Sequence, residues 1–478
     1  MIALRRFLKS PLKVEPCFLR RKFHNIQVPF QDDLSAADND DFNLLDFQHY
    51  QESPDVKKKR LELIEEVENE NILEEGVINP PKENPNKILS NILEDYVGLK
   101  EPIAFVSKIS NPYRNLAIED HIFNQMPVPK DQGSNYNRLI FYTNSPCVVI
   151  GKNQNPWKEV NVPLLNSLHI PLVRRKSGGG TVVHDGGNVN YSFMTTKNNF
   201  DRYTFAKIIR DGVNKYEGSK YRLEVNERGD ITTEKQQDDI CYKISGSAYK
   251  LAKGKSYHHG TMLLNLRLDI LKQLLHRDEA KLGIVDAMAS VGSVKSKVTN
   301  FEMENDKFIE LVTNEFQSIY GKPIDYGEQS DPDEYDQNEL FGLTDFVEAN
   351  ALNKTTKVII IDDDTTLPEY VYETESQLKE WDWKFGGTPR FSHKLMNEKF
   401  GFEILFKVDK RAIVREMELT FLPNDLRILS EDKIKQSFEF LQNMISKGEM
   451  KYKGSELAGF ITNDMISDWL GESIDGTS

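Results

Sequence analysis

The sequence has little of what marks a secreted, membrane-spanning or zinc-built protein. Its 478 residues include three cysteines, Cys17, Cys147 and Cys241. They are too few for a dense disulfide framework and lack the CxxC spacing of a structural zinc site. No run of 18 or more apolar residues occurs, so we expect no membrane span. These absences favour a chain that works in a reducing compartment.

The chain also lacks the basic surface of a general nucleic-acid-binding protein. Its formal net charge is −14 at pH 7. Because binding to phosphate backbones requires a basic face, we expect no nucleic-acid partner.

Charge is distributed unevenly near the N-terminus. Residues 1–30 carry seven Lys or Arg and the single acid Glu15, with apolar residues between the basic ones. This composition is typical of a mitochondrial transit peptide, and the alternative is a basic disordered arm. We therefore expect the protein in the mitochondrial matrix.

Residues 31–95 hold 18 Asp or Glu against six Lys or Arg and are broken by prolines, so we interpret residues 31–98 as a disordered acidic spacer.

The remaining sequence predicts an α+β fold. Apolar and alternating runs predict strands at 147–151, 172–175, 181–184, 188–194, 242–252 and 256–266. The DGG after residue 184 and the KGK after residue 252 predict two hairpin turns. Because hairpins outnumber βαβ units, we expect a mixed, mainly antiparallel sheet flanked by helices, which include 203–216 and 268–275.

The pattern restarts near residue 400. Residues 402–408 and 413–421 predict a hairpin, and Ser430 caps a predicted helix. We predict a main, catalytic domain over residues 99–395 and a small α+β accessory domain over residues 396–478.

A triple glycine gives the clearest chemical signal. Gly178, Gly179 and Gly180 remove every Cβ from a loop between two strands, so backbone N–H groups can approach an anion. The preceding Arg174-Arg175-Lys176 brings positive charge to the loop entrance, and guanidinium groups hold phosphate oxygens bidentately. A glycine-rich hairpin with incidental basic residues is the alternative.

The two familiar phosphate-binding motifs do not match. A P-loop would need glycine where Tyr249 precedes Gly254-Lys255-Ser256, and a dinucleotide fingerprint would need glycine where Val183 stands. The triple glycine therefore predicts another kind of nucleotide loop.

Lys243 and a histidine pair supply further candidates. Lys243 leads into a Ser-Gly-Ser turn, and an ammonium held there could balance a phosphate or a developing oxyanion. A solvated strand lysine is the alternative. Adjacent histidines on a strand face opposite sides, so at most one of His258 and His259 enters the cleft.

Seven collinear blocks together resemble the lipoate–protein ligase A family, in particular its mitochondrial, fungal-type members, within the biotin/lipoate ligase superfamily. The blocks are SNPYRNLAIEDHIFNQMP (110–127), VVIGKNQNPWKEV (148–160), RRKSGGGTVVHDGGN (174–188), KISGSAYK (243–250), YHHGTMLLN (257–265), SVKSKVTNF (293–301) and WDWKFGGTPRFS (381–392).

The resemblance implies a two-step acyl transfer. ATP activates lipoate, or octanoate, to an acyl-adenylate, and the acyl group then passes to a specific lysine of a lipoyl domain. It also implies which residues bind the acyl-adenylate, namely Arg175, Gly178, Gly179, Gly180, Thr181, Val182, Val183, His184 and Lys243. Lys243 would be catalytic, and Lys243 and His259 would contact lipoate.

The resemblance further implies magnesium carried mainly on the ATP phosphates. Asp230 aligns with a metal-associated aspartate of the family, although Gly229 and the polar stretch 232–239 depart from the family pattern. Lys295 and Lys297 stand where relatives tend to have arginine, and lysine loses bidentate geometry.

Three functions remain open at this point. The first is an ATP-dependent ligase, and the second is an ATP-independent lipoyl or octanoyl transferase that uses acyl-CoA or an acylated carrier protein. The third is a non-catalytic factor that binds lipoyl domains. The implied partners are lipoyl domains of 2-oxoacid dehydrogenase acyltransferase subunits and the glycine-cleavage H-protein, and we expect a monomer.

Overall fold

The computed structural model describes residues 92–130, 134–236, 239–294, 296–323, 354–423 and 428–477. The predicted transit peptide, most of the predicted spacer and Lys295 lie outside the described residues. The end of the predicted spacer, residues 92–98, belongs instead to the folded part, where Leu93 and Val97 are fully buried. These residues lie in one compact unit with the rest of Leu89–Ser478.

The strands are numbered in chain order. They are β1 (Ile103–Ser107), β2 (Arg138–Tyr142), β3 (Cys147–Ile150), β4 (Leu172–Arg174), β5 (Val182–His184), β6 (Asn188–Thr196), β7 (Leu223–Val225), β8 (Ile231–Thr233), β9 (Ser245–Ala252), β10 (Lys255–Leu263), β11 (Ile284–Asp286), β12 (Lys322–Pro323), β13 (Lys354–Thr355), β14 (Lys357–Ile361), β15 (Phe391–Asn397), β16 (Phe402–Val408) and β17 (Val414–Phe421).

The helices are numbered in the same way. They are α1 (Glu94–Val97), α2 (Pro112–Gln125), α3 (Pro156–Glu159), α4 (Val162–Ser167), α5 (Thr204–Asn214), α6 (Leu268–Leu275), α7 (Glu279–Leu282), α8 (Asn305–Tyr320), α9 (Glu369–Lys379), α10 (Trp381–Lys384), α11 (Glu431–Ser446), α12 (Gly454–Ala458) and α13 (Asp464–Ile474), together with a short 3₁₀ turn at Lys410–Ala412. Among the described residues, no helix has the length and apolar character needed to cross a membrane.

A six-stranded sheet of order β14-β1-β2-β6-β10-β9 forms the centre. The pairs β14-β1 and β1-β2 are parallel, and the other three pairs are antiparallel. The predicted mixed, mainly antiparallel α+β fold is therefore confirmed.

Helices cover both faces of this sheet because its apolar residues alternate along the strands. Ala104 and Val106 pack with α5 and α8, whereas Ile103 and Phe105 pack with α2 on the opposite face. Helix α2 begins where Asn111 accepts hydrogen bonds from the N–H groups of residues 113 and 114, which is a favourable N-cap.

Of the three predicted hairpins, the pairs β9–β10 and β16–β17 form and the third does not. Strands β9 and β10 pair through a two-residue turn, in which Lys253 and Gly254 both have positive φ. By contrast, β5 pairs with β3 in a separate sheet of order β4-β3-β5, while β6 joins the central sheet. The DGG segment therefore carries the chain from one sheet to the other, and the predicted hairpin of 181–184 with 188–194 is wrong.

Strands β15, β16 and β17 form the C-terminal sheet together with β11, in the antiparallel order β11-β15-β16-β17, and this sheet packs with α11 and α13. Trp157 stacks on Phe391 at 5.2 Å between ring centroids, and this sheet shares one apolar core with β3. Strand β15 runs across the predicted boundary between residues 395 and 396. The accessory domain stays a prediction.

Candidate functional site

A cavity of about 280 Å³ lies where β5, β9 and β10 approach the triple-glycine loop. Its lining comprises Leu116, Tyr142, Val149, Arg175, Gly179, Gly180, Thr181, Val182, His184, Asn190, Arg228, Asp230, Lys243, Gly246, Ser247, Ala248, His259, Gly260, Thr261, Val291, Gly292, Ser293 and Val294. Most of the residues singled out from the sequence therefore meet at one place.

Two predicted binding residues, Gly178 and Val183, do not line this cavity. Side chains alternate along β5, so Val182 and His184 face the cavity while Val183 packs into the apolar core. Gly178 contributes its carbonyl to a hydrogen bond from Arg175. Their roles in binding stay predictions.

Arg175 sets the shape of the glycine loop. Its guanidinium donates to the carbonyl of Gly178 at 2.6 Å and to the carbonyl of Gly180 at 2.8 Å. In a trans peptide the N–H points away from the preceding carbonyl, so the N–H groups of Gly179 and Thr181 point away from this guanidinium. Burial lowers the pKa of Arg175 to about 10, so it stays charged at neutral pH.

The loop requires glycine at two places. Gly179 has φ of +92°, and a Cβ there would lie 2.7 Å from the guanidinium of Arg175. Gly151 lies so close to the loop that a Cβ would come within 2.2 Å of the Gly179 carbonyl oxygen. A side chain at either position would displace the loop.

The predicted cluster of charge at the loop entrance is only partly present. Arg174 is 1% exposed and donates to the carbonyls of Lys152, Gln154 and Lys384, so it holds neighbouring turns together. Lys176 pairs with Asp120 at 2.8 Å. Within the RRK sequence, only Arg175 contributes to the cavity lining.

Lys243 lies on the side of the cavity formed by β8 and the segment after residue 296. It forms isolated bridges with Thr232 and Val298 just before β9 begins, and its N–H donates to the carbonyl of Lys297 at 2.9 Å. Its side chain is 20% exposed, and Nζ lies 2.8 Å from Oδ1 of Asp230. The ammonium therefore belongs to the same cavity as the glycine loop rather than to the outer surface.

Asp230 supplies a single carboxylate for the magnesium that the resemblance implies. Its Oδ1 faces Lys243, and its Oδ2 lies 4.0 Å from Nε of Arg228. Within the described ranges no group of three or more His, Cys, Asp or Glu side chains could hold a metal ion. The residues therefore fit an ion held mainly by nucleotide phosphates and water, with one protein carboxylate.

The two adjacent histidines face opposite sides, as predicted. His259 lines the cavity, with Nδ1 2.9 Å from Glu119 and Nε2 2.7 Å from Oγ of Ser177. Both ring nitrogens are thus occupied, so the predicted lipoate contact would use the ring face. His258 lies on the other side against Ser247 and Tyr249.

His184 lines the cavity and has one unpaired ring nitrogen. Its Nδ1 accepts from the side-chain amide of Asn144 at 3.0 Å, and its buried Nε2 has no partner. Burial, aided by the charge of Arg175, lowers the pKa of His184 to about 3, so the ring is neutral at physiological pH. With Nδ1 accepting, the neutral ring carries its proton on the unpaired Nε2.

The cavity has a buried end and an exposed mouth, where the apolar Val291 and Val294 lie beside polar residues. Leu116, Tyr142 and Val149 are buried and lie at one end, while Arg228 and Ser293 are exposed at the other. The sequence did not identify these residues, because β2, β3 and α2 are brought to the glycine loop only by the tertiary fold.

The segment 291–294 lines the cavity mouth and contacts the glycine loop directly. Oγ of Ser293 accepts from the N–H of Thr181 at 3.0 Å and donates to the carboxylate of Glu159 at 2.5 Å. The side-chain amide of Gln154 also donates to this Oγ at 3.0 Å. One N–H that the glycine loop could offer a phosphate is therefore already occupied by Ser293.

Residues 111–317 match the family model described as "Lipoyl protein ligase A/B catalytic domain". Two curated fungal relatives carry the name "Putative lipoate-protein ligase A". The protein of Saccharomyces cerevisiae (strain YJM789) is 44% identical over 229 residues, which are 48% of this chain and 54% of the relative. The protein of Schizosaccharomyces pombe (strain 972 / ATCC 24843) is 34% identical over 317 residues, which are 65% of this chain and 78% of the relative.

The cavity and these matches define the class together. The chain belongs to the lipoate–protein ligase family, as the sequence resemblance indicated. The match spans about half the length of the Saccharomyces relative.

Among solved structures, Plasmodium falciparum LipL1 in complex with lipoate is 22% identical, with a TM-score of 0.44 and coverage of 79% of this chain and 100% of that chain. A lipoate-protein ligase A bound with ATP is 18% identical, with a TM-score of 0.39 and coverage of 60% of this chain and 99% of that chain.

Proposed function

We propose that the protein is an ATP-dependent lipoate–protein ligase. It would activate lipoate or octanoate with ATP and transfer the acyl group to a lysine of a lipoyl domain. One observation carries the proposal: Lys243 and the glycine-loop residues Gly179, Gly180 and Thr181 line the same cavity. Such an arrangement suits a ligand with a phosphate and an acyl group joined together.

The first step would be formation of the acyl-adenylate. A carboxylate oxygen attacks the α-phosphorus of ATP, the bond between this phosphorus and its bridging oxygen to the β-phosphate breaks, and pyrophosphate leaves. Lys243 offers positive charge to two anions that must meet, which lowers the cost of bringing them together. Magnesium would neutralise the phosphates, with Asp230 as a protein ligand.

The second step would be aminolysis. The ε-amine of the acceptor lysine attacks the acyl carbon, the bond from the acyl carbon to the phosphate oxygen breaks, and AMP leaves while the amine loses a proton. Lys243 would stabilise the oxyanion of the tetrahedral intermediate. The buried end of the cavity, with Leu116, Tyr142 and Val149, suits the apolar part of the acyl chain.

Mass spectrometry of an apo lipoyl domain tests this proposal. The full chain is incubated with the domain and with lipoate, octanoate or octanoyl-CoA, each with and without ATP. We expect a mass increase with free lipoate or octanoate only when ATP is present. Modification from octanoyl-CoA without ATP, and none from the free acids, would establish the transferase instead, and no modification with any donor would favour the non-catalytic binding factor.

The site of action and the acceptors are part of the same proposal. The basic, acid-poor residues 1–30 support delivery to the mitochondrial matrix, and cell fractionation with and without these residues would test it.

We propose lipoyl domains of 2-oxoacid dehydrogenase acyltransferase subunits and the glycine-cleavage H-protein as acceptors. The protein would act as a monomer, which light scattering of the purified chain would test.

A further inference from the structure

The segment 284–294 exposes several large apolar side chains beside the cavity. Met288 is 92% exposed, Val294 is 62% exposed, and Ile284 and Val291 are about half exposed. Single exposed apolar residues need no explanation, but four within eleven residues form a patch. We name this patch, formed by Ile284, Met288, Val291 and Val294, the rim.

The rim joins the cavity to a second, open groove. Val291 and Val294 line the mouth of the cavity. Met288 lines a groove of about 550 Å³ formed with the C-terminal sheet, whose lining includes Phe391 and Leu405. A partner that covered the cavity mouth would therefore also meet the rim and this groove.

The rim is held in place by backbone contacts. The N–H of Val291 donates to the carbonyl of Asn153 at 3.0 Å. Ile284 lies on β11, which pairs with β15 in register with Lys394. The apolar side chains are thus presented by an anchored segment, so contact with a partner would cost little ordering of the chain.

The groove beside the rim is balanced in charge, with Arg390, Lys407 and Arg415 against Asp286, Asp409 and Glu416, whereas cations predominate at the cavity mouth. Arg228 lines the cavity and is exposed, and the exposed Lys297 lies next to Lys243 along the edge of the site. Asp230, the acid that lines the cavity, pairs with Lys243. The net charge of the chain is −14, so the cations at the cavity mouth favour a partner with acidic residues near its target lysine.

We propose that the rim docks the acceptor protein, a folded domain that presents acidic and apolar residues around its target lysine. This inference rests on the proposed function, in which an acceptor amine enters the cavity. A lysine side chain extends only about 6 Å from its backbone. The acceptor surface must therefore lie on the residues at the cavity mouth, and the apolar side chains there belong to the rim.

Two substitutions at one position test the proposal. Met288 does not line the cavity, so Met288→Glu and Met288→Lys leave the catalytic groups intact. Both remove an apolar contact, but only Met288→Glu adds repulsion against an acidic acceptor. We expect the KM for an apo lipoyl domain to rise about tenfold or more in Met288→Glu and about threefold in Met288→Lys, within the usual cost of losing an interface contact.

The matched controls are Met465→Glu and Met465→Lys, since Met465 is 50% exposed on α13 and is not in the lining of either cavity. Lipoate-dependent ATP–pyrophosphate exchange and trapping of the activated acyl group by hydroxylamine require no acceptor domain. We expect both to be unchanged in all four variants. An unchanged KM in Met288→Glu would overturn the proposal, and so would a loss of exchange equal to the loss of transfer.

Failure of the proposed function would be distinguishable from failure of the inference. If the wild-type chain showed no exchange and no transfer, the ligase proposal would fail. Calorimetric titration with the apo lipoyl domain would still test the rim. Weaker binding to Met288→Glu than to Met465→Glu would support the docking surface, and equal binding would contradict it.

Discussion

The guanidinium of Arg175 donates to the carbonyls of Gly178 and Gly180 and thereby fixes the orientation of these two peptides. A lysine at this position would keep the charge but lose the planar fork that serves two acceptors at once. We therefore expect Arg175→Lys to raise the Kd for ATP about tenfold and to lower the free energy of unfolding by about 1–3 kcal/mol.

Calorimetric titration with ATP and urea denaturation would measure these two effects. Arg210→Lys is the control, because Arg210 is a partly exposed arginine on α5, paired with its neighbour Asp211. Equal affinity for ATP in Arg175→Lys and the wild type would show that the loop keeps its shape without this arginine.

Some residues of the candidate site could be predicted from the sequence. The triple glycine, Lys243 and the opposed histidines were readable because backbone freedom and strand alternation are local properties. The sequence could not show that Arg175 lines the cavity while Arg174 does not, because alternation in a strand does not say which face lies toward the ligand. The partner of His184, Asn144, lies 40 residues away, and no local signal links the two.

At the scale of elements, the segment 291–294 competes with a ligand for the glycine loop. The N–H of Thr181 donates to Oγ of Ser293, so a phosphate bound at this N–H must displace the hydroxyl. Ser293→Ala removes the competitor. Because a hydrogen bond contributes about 0.5–1.5 kcal/mol net, we expect ATP to bind about two- to twelvefold more tightly to this variant.

Fluorescence titration with a labelled ATP analogue would measure this change. Ser290→Ala is a matched control directly before this segment, since the buried Oγ of Ser290 has no hydrogen-bond partner. Weaker binding in Ser293→Ala would mean that the hydroxyl assists the nucleotide and does not compete with it.

The positions of strands and helices along the chain were predicted better than the pairing of the strands. The runs at 147–151, 188–194 and 402–408 form strands close to the predicted limits, and the β9–β10 turn has the predicted form. The partners of β5 and β6 were predicted wrongly, because a DGG sequence permits a hairpin but also any other sharp change of direction. Gly187 here lies against the carbonyl of Asn265, which a Cβ would approach to 2.1 Å.

At the scale of the whole molecule, three buried histidines link stability to pH. Burial lowers the pKa values of His184, His258 and His393 to about 3. An unfolded histidine has a pKa near 6.5. Because the folded pKa is the lower one, the full stability is present above pH 6.5 and is lost as the pH falls toward 3.

We expect each of these histidines to lower the free energy of unfolding by about 1.4 kcal/mol per pH unit below pH 6. Urea denaturation at pH 7.0, 6.0 and 5.5 would measure the slope. The variant His393→Gln tests one of the three. His393 lies on β15, where its ring accepts a hydrogen bond from Tyr452 and donates one to the carbonyl of Leu282. This variant should lose about one third of the histidine-dependent slope, and an unchanged slope would show that His393 does not titrate on unfolding.

The central claim concerns Lys243 and the glycine loop, which lie on two sides of one cavity and would hold an acyl-adenylate between them. Lipoate-dependent ATP–pyrophosphate exchange measures formation of that intermediate without any acceptor protein. The account predicts exchange by the wild-type chain only when lipoate or octanoate is present. It also predicts at least a hundredfold loss in Lys243→Met, within the range for removing a group that stabilises charge in the transition state. Exchange that persists in Lys243→Met, or no exchange in the folded wild-type protein, would contradict the account.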